Sequence, residues 1–222
     1  MNETESNDAQ VLLLDNWIVR VRRPISPSSS QVFLLLHGLT GDEHSMTVFT
    51  RNLPQDAWIL SPRAPIALKN GGYKWITPEQ GMTASYAEFK QAANQLQAAY
   101  LRWSKSLQLP ASPANVIGFS QGAVMAAALL LLNPQVVDRL GFLSGFLPGD
   151  TPQYILPNWI TGKKVFVAHG SQDKTVPIEK AQQTAQWLQQ WGAAVTYCEA
   201  AVGHRLSASC FRSFAEFFKT PA

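Results

Sequence analysis

Five consecutive residues, Gly118-Phe119-Ser120-Gln121-Gly122, carry the strongest chemical signal in the sequence. An apolar run, Val116 to Phe119, leads into them, and a second, Ala123 to Leu132, leads out. A serine with a glycine two before and two after, between a strand and a helix, lies on a strained tight turn that pushes its hydroxyl out above the sheet. The hydroxyl of Ser120 then sits at a helix N-terminus, where free N–H groups and the helix dipole favour negative charge. Such a site suits nucleophilic attack on an acyl carbon.

A serine hydroxyl is a weak nucleophile at neutral pH and needs a base, which in turn needs an orienting acid. In a strand–turn–helix site of this kind the chain order is serine, acid, histidine. Of the four histidines, His37 and His44 precede Ser120, and His169 closes an apolar run and meets Gly170 at once. His204 alone falls in a downstream loop, after the run Val195 to Cys198, and is the expected general base. Asp173, in the segment His169-Gly170-Ser171-Gln172-Asp173-Lys174-Thr175-Val176-Pro177, is the expected acid, with Asp150 as its rival. His37 and His169 are expected to bond nearby backbone, while His44 and Asp42 either line the site or face water.

The anion formed on attack needs two aimed N–H donors. One is expected from the backbone of Gln121, directly after the nucleophile. The other is expected from the loop His37-Gly38-Leu39-Thr40-Gly41-Asp42, with the Leu39 N–H as the donor.

These groups must be held by a framework, and its elements are legible. Val32–Leu36, Trp58–Leu60, Val116–Phe119, Leu140–Leu143 and Val165–Ala168 are apolar on consecutive positions, as parallel strands covered on both faces are. Val195–Cys198 is a more polar last strand. Between them, Phe89, Ala93, Leu96, Tyr100, Trp103 and Leu107 form one helical stripe. Ile178, Ala181, Ala185, Leu188 and Trp191 form another, opened by Pro177 and closed by Gly192. A last helix buries Cys210, Phe214, Phe217 and Phe218. Val11–Leu14 and Trp17–Val21, joined by Asp15-Asn16, read as a hairpin. The fold expected is α/β with a mainly parallel sheet. Residues 1–9 are expected to be a disordered tail and 10–222 one domain.

Composition removes several classes. The 222 residues carry 18 Lys and Arg against 15 Asp and Glu, a net charge of +3, with the basic residues scattered rather than gathered into a nucleic-acid footprint. Charged residues are 15% and apolar ones 46%, which excludes global disorder. The longest apolar run, Ala123 to Leu132, is half the length of a membrane span. The first ten residues, MNETESNDAQ, lack the basic and apolar regions of a secretory signal, so the expected location is cytoplasmic. Cys198 and Cys210 do not make a disulfide scaffold and read as buried apolar thiols.

Taken together, LHGLTGDEHS (36–45), SPRAP (61–65), GFSQG (118–122), HGSQDKTVP (169–177) and GH (203–204) resemble the phospholipase/carboxylesterase group of α/β-hydrolases, which includes acyl-protein thioesterases. The resemblance runs from about residue 31 to the C-terminus. It implies an α/β-hydrolase fold and a serine esterase without metal or cofactor, with Ser120, Asp173 and His204 as triad and Leu39 and Gln121 at the oxyanion. The chain departs from the group's pattern at Ala123-Val124, at Thr40 to Ser45 and at Trp75-Ile76-Thr77, near the pockets.

The Gly-rich stretch 66–82 is expected to form a pocket wall, with Tyr73 and Trp75 as its apolar surface. The 16 residues between Phe146 and Lys163 are too few for a lid domain and suit a short flap with Tyr154, Ile155, Leu156 and Trp159. An open site of that kind favours small or medium acyl esters or thioesters. The alternatives are thioesterase or lysophospholipase action on longer chains, and a binding module that has lost the chemistry. No nucleic-acid partner and no stable membrane insertion are expected; the oligomeric state is not legible.

Overall fold

The computed structural model describes residues 9–26, 29–77 and 84–219; the expected tail at 1–9 lies almost wholly outside them. The chain opens with strands β1 (Gln10–Leu14) and β2 (Trp17–Arg22). Asp15 and Asn16 between them both take positive φ, 50° and 64°, the backbone that a two-residue hairpin turn requires. There follow β3 (Val32–Leu36), the short helix α1 (Thr47–Thr50), β4 (Trp58–Pro62), and a small hairpin of β5 (Ile66–Ala67) and β6 (Tyr73–Lys74). The rest alternates: α2 (Tyr86–Ser106), β7 (Ala114–Phe119), α3 (Gln121–Leu132), β8 (Val137–Leu143), β9 (Lys164–Gly170), α4 (Ile178–Gln190), β10 (Ala194–Ala200) and α5 (Ala208–Lys219).

Eight strands form one sheet in the order β1-β2-β4-β3-β7-β8-β9-β10. The pairs β1–β2 and β2–β4 are antiparallel and the others parallel. The consecutive apolar runs are explained by what covers the two faces. Along β3, Val32, Leu34 and Leu36 enter the core beneath α2, α3 and α4, while Phe33 and Leu35 enter the core beneath α1 and α5. Val165 and Val167 of β9 likewise face one way, and Phe166 and Ala168 the other. The expected α/β-hydrolase framework, with a mostly parallel sheet, an N-terminal hairpin and helices on both faces, is the one observed.

The helical stripe on α2 is buried throughout, and a capping box fixes its start: Ser85 accepts from Glu88 N–H while the Glu88 carboxylate takes the Ser85 N–H. Helix α3 is apolar all round, and every residue from Gly122 to Leu131 is buried between the sheet and α2.

Two expectations need correction here. Cys198 on β10 and Cys210 on α5 are joined in a disulfide rather than lying as separate thiols. Spacing alone gave no sign of it, because the packing of α5 against the edge strand is what brings the two together. The bond closes a loop across a sequence separation of 12. A loop of about that size stabilises by roughly 3 kcal/mol, chiefly by restricting the unfolded chain. Cys198→Ser with Cys210→Ser is therefore expected to lower Tm by roughly 5–10 °C. Equal melting of oxidised and reduced protein in calorimetry would show that the bond constrains nothing.

The segment expected to be a flap is also placed differently. Tyr154, Leu156 and Trp159 are exposed and Ile155 is buried, but Trp159 Nε1–H donates to Leu131 O at 2.7 Å, near the C-terminal end of α3. Ser120 stands at the other end of that helix.

Candidate active site

Ser120 sits between β7 and α3 with φ 54° and ψ −120°, a conformation that L-residues avoid unless their surroundings impose it. The surroundings are visible in the flanking glycines. A Cβ on Gly118 would lie 2.0 Å from Gly122 O, and one on Gly122 would lie 2.1 Å from Leu36 O. Only hydrogen at both positions lets α3 start this close to the ends of β7 and β3. The Ser120 N–H donates to Leu143 O at 2.9 Å, which ties the turn to β8.

Asp173 follows β9 and its side chain is wholly buried. Its Oδ1 accepts from the N–H groups of Thr175 (2.8 Å) and Val176 (3.0 Å), and its Oδ2 accepts from His204 Nδ1 at 2.6 Å. Burial alone would push this carboxyl up, but the Val176 and Thr175 amides and the His204 imidazole outweigh it and hold the pKa below the usual carboxylate range. With Nδ1 committed to the carboxylate, Nε2 of His204 is left for another partner. The His204 ring lies 5.0 Å, centroid to centroid, from that of Phe119, the residue before Ser120. Its side chain keeps 24% exposure, so the edge of the ring is reachable.

The two loops meet tightly. A Cβ on Gly170 would lie 2.2 Å from Val202 O and 2.3 Å from Gly203 O. It is thus Gly170, more than Gly203, that makes room for the histidine loop. Asp150, the rival acid, is elsewhere: its two oxygens accept from Tyr86 N at 3.0 and 3.1 Å, at the start of α2.

The remaining histidines are engaged as expected. Ala64 N–H donates to His37 Nε2 at 2.9 Å, so Nδ1 carries the proton and donates to Gly38 O at 2.7 Å. Burial is the main reason its pKa is lowered, which keeps the ring neutral. His169 Nε2–H donates to Val176 O at 2.8 Å and lies 3.4 Å from Asp173 Oδ2, bracing the acid loop from behind. Asp42 accepts from the His44 N–H and the Ser45 hydroxyl and shapes the turn, while His44 is exposed with Nε2 3.4 Å from Glu43 Oε1.

The loop expected to hold the oxyanion lies against the serine: a Cβ on Gly38 would sit 3.2 Å from Ser120 Cβ. Leu39 follows with its side chain half exposed, and Thr40 takes φ 69°. The 66–76 segment turns out to brace this loop. Thr40 N–H donates to Tyr73 O, and Tyr73 N–H to Gly41 O, each at 3.0 Å. Trp75 N–H donates to the Gln121 side-chain oxygen at 2.9 Å.

Of Tyr73 and Trp75, expected to be pocket surface, Trp75 is buried instead, while Tyr73 lines a cleft of about 590 Å³ shared with Trp17, Arg63 and Arg102. Trp75 is 2% exposed, packed against Trp17 and His37, with its indole N–H on His37 O at 2.7 Å. Tyr73 is half-buried beneath Arg63, whose guanidinium lies 4.6 Å from its ring centre. The part of the stretch at 78–83 lies outside the described residues.

Two clefts border the loops that carry the site residues, though neither is lined by Ser120, Asp173 or His204. One, of about 850 Å³, runs beside Leu39 and Thr40 and is walled by Ile66, Leu68, Lys69 and Lys74. The other, of about 450 Å³, opens between the loops after β8 and β9 and presents Phe146, Leu147, Val176 and Pro177. No group of three or more His, Cys, Asp or Glu among the described residues could hold a metal ion.

With this geometry in place, likeness to known proteins decides the family. The phospholipase/carboxylesterase family model matches residues 17–221. The chain belongs to the phospholipase/carboxylesterase family. As a member of that family it is a hydrolase enzyme. This phospholipase/carboxylesterase-family chain is 28% identical over 199 residues to a SOBER1-like protein of Arabidopsis thaliana, covering 81% of this chain and 75% of the relative. It is 24% identical to MhqD of Bacillus subtilis (strain 168), covering 86% and 94%. In fold it is similar to a carboxylesterase from Mesorhizobium loti (TM-score 0.81, 19% identity, 96% and 99% covered) and to the Bacillus cereus carboxylesterase (0.81, 22%, 91% and 93%). No helix among the described residues is long and apolar enough to cross a membrane.

Proposed function

We propose that this family member is a serine esterase working through an acyl-enzyme. Ser120 attacks the carbonyl carbon, and His204 Nε2 takes its proton. Asp173 holds the imidazole in the Nδ1–H tautomer and stabilises the imidazolium. The Leu39 and Gln121 N–H groups receive the oxyanion. His204 returns the proton to the leaving alcohol or thiol; it then activates water, which releases the acid and frees Ser120. The 2.6 Å bond from His204 to a carboxylate itself oriented by two amides carries this reading. The strained turn at Ser120 and the abutting Gly38 support it. A fluorophosphonate probe is expected to label the protein at one site, with labelling absent in Ser120→Ala; equal labelling of both proteins defeats the reading.

The substrate proposed is a small-molecule carboxylic ester or thioester with a small to medium acyl group. What supports this is the half-exposed Leu39 and the cleft of about 850 Å³ that it and Thr40 line. We expect kcat/KM on p-nitrophenyl esters to be highest at short or medium chains. A much higher value for long chains would favour the thioesterase or lysophospholipase alternative.

A cytoplasmic location is proposed as well; the Cys198–Cys210 bond points toward an oxidising compartment and so puts it to the test. Such bonds persist in oxidising compartments and are mostly reduced in the cytoplasm. Alkylation of thiols directly in intact cells should trap Cys198 and Cys210 as free thiols; quantitative oxidation there would place the protein elsewhere.

A further inference from the structure

Arg63 stands between β4 and β5, and its side chain joins two parts of the oxyanion loop's support, Glu43 and Tyr73. Its Nε and Nη2 donate to the two oxygens of Glu43, each at 2.6 Å, a bidentate pairing. Its Nη1 donates to the Tyr73 hydroxyl at 3.1 Å, and the guanidinium plane covers the Tyr73 ring. Glu43 has a side chain only 4% exposed and follows directly on the loop Leu39 to Asp42. Tyr73 bonds the same loop through its backbone at Thr40 and Gly41. A Cβ on Gly72 would lie 2.0 Å from Thr40 O, so the turn into β6 presses directly on the residue after Leu39.

The loop is thus gripped from two sides, and both grips converge on one cation. Glu43 also has His44 Nε2 3.4 Å from its Oε1, but that exposed ring cannot replace the bidentate fork of Arg63, and a buried carboxylate that loses its main partner is strongly destabilised. Losing Arg63 leaves Glu43 to seek water, which drags the loop outward and loosens β6 in the same movement. The N–H of Leu39 would turn with it. An amide shifted by about 1 Å loses much of its catalytic worth, because an oxyanion donor acts only when aimed in advance.

We infer that Arg63 and Glu43 are a positioning pair that sets the Leu39 N–H for the oxyanion, so that their salt bridge controls kcat more than substrate binding. The inference rests on the serine-esterase reading. Its chemistry is confined to loop placement: neither side chain exchanges a proton or touches the reacting atoms.

The test compares wild type with Arg63→Met, Arg63→Lys and Glu43→Gln on p-nitrophenyl butyrate. Affinity for an alkyl boronic acid, a tetrahedral adduct former, and Tm are measured in the same preparations. Arg63→Met is expected to lower kcat about 10–100-fold, below the 10²–10³ that loss of a whole oxyanion donor costs. KM should change less than threefold, and boronate affinity should fall in step with kcat/KM. Arg63→Lys should recover little of the loss, since an ammonium cannot span both Glu43 oxygens and the Tyr73 hydroxyl. It also serves as the folded variant should Arg63→Met not fold. A merely structural pair would lower Tm in all three variants with kcat and boronate affinity per folded molecule unchanged, and that result overturns the inference. Absence of fluorophosphonate labelling in wild type overturns the esterase reading and this inference with it. Labelling with unaltered kcat in Arg63→Lys and Glu43→Gln overturns the inference alone.

Discussion

Ser120→Ala is expected to lower kcat for ester hydrolysis about 10⁶-fold, the scale on which loss of a triad nucleophile acts. The melting temperature should stay within a few degrees of wild type. The reason is local. Ser120 makes its structural bonds through the backbone, with N–H on Leu143 O and carbonyl accepting from Ala123 N, and alanine keeps both. The backbone strain is also common to the two residues, since a Cβ is present in each at φ 54°. Single-turnover assays on freshly purified protein, with circular dichroism as the check on folding, read both quantities. Retention of more than about a hundredth of wild-type kcat would mean that another group attacks the ester.

The second large effect concerns the acid. Asp173→Asn should reduce kcat about 10⁴-fold, because an amide in this place presents a donor to the ring and turns the imidazole to the wrong tautomer. Asp150→Asn should leave kcat within about twofold, since Asn keeps the oxygen that receives Tyr86 N–H. Equal activity in the two variants would remove Asp173 from its role. The same carboxylate has a stability signature. Its native pKa is depressed, so its contribution is full above the unfolded-state value near 3.9 and is lost as pH falls through the native value. Urea unfolding should therefore show the gap between wild type and Asp173→Asn narrowing below about pH 4. A gap that widens there would reverse the sign of the argument.

Much of the framework could be read from residue order because burial on both faces leaves so plain a mark. Val32–Leu36 and Val165–Ala168 announce themselves as central strands, and the stripe from Phe89 to Leu107 announces α2. Gly118 and Gly122 were equally legible, since the close approach they permit is a local matter of backbone against backbone. His204 could be singled out by chain order together with its place in a loop after the last strand.

What stayed hidden depends on partners far apart in the chain. Strands of two residues, Ile66–Ala67 and Tyr73–Lys74, are too short to show any period, so their hairpin read as a loop. Trp75 sits among glycines and polar residues, and its burial rests on a carbonyl 38 positions away. Glu43 and Arg63 are 20 positions apart, and nothing in either neighbourhood marks them as a pair. The bond between Cys198 and Cys210 needed the docking of α5 on an edge strand.

That cross-link encloses His204. Were a protease to cut between Glu199 and Ser209, the two fragments would stay fastened by sulfur, with Cα atoms 5.7 Å apart at the junction. The final helix could not drift away, and whichever piece carried the imidazole would remain anchored beside Asp173. Nicked chains of this sort would migrate as one band on a gel run without reductant and as two once reductant is added.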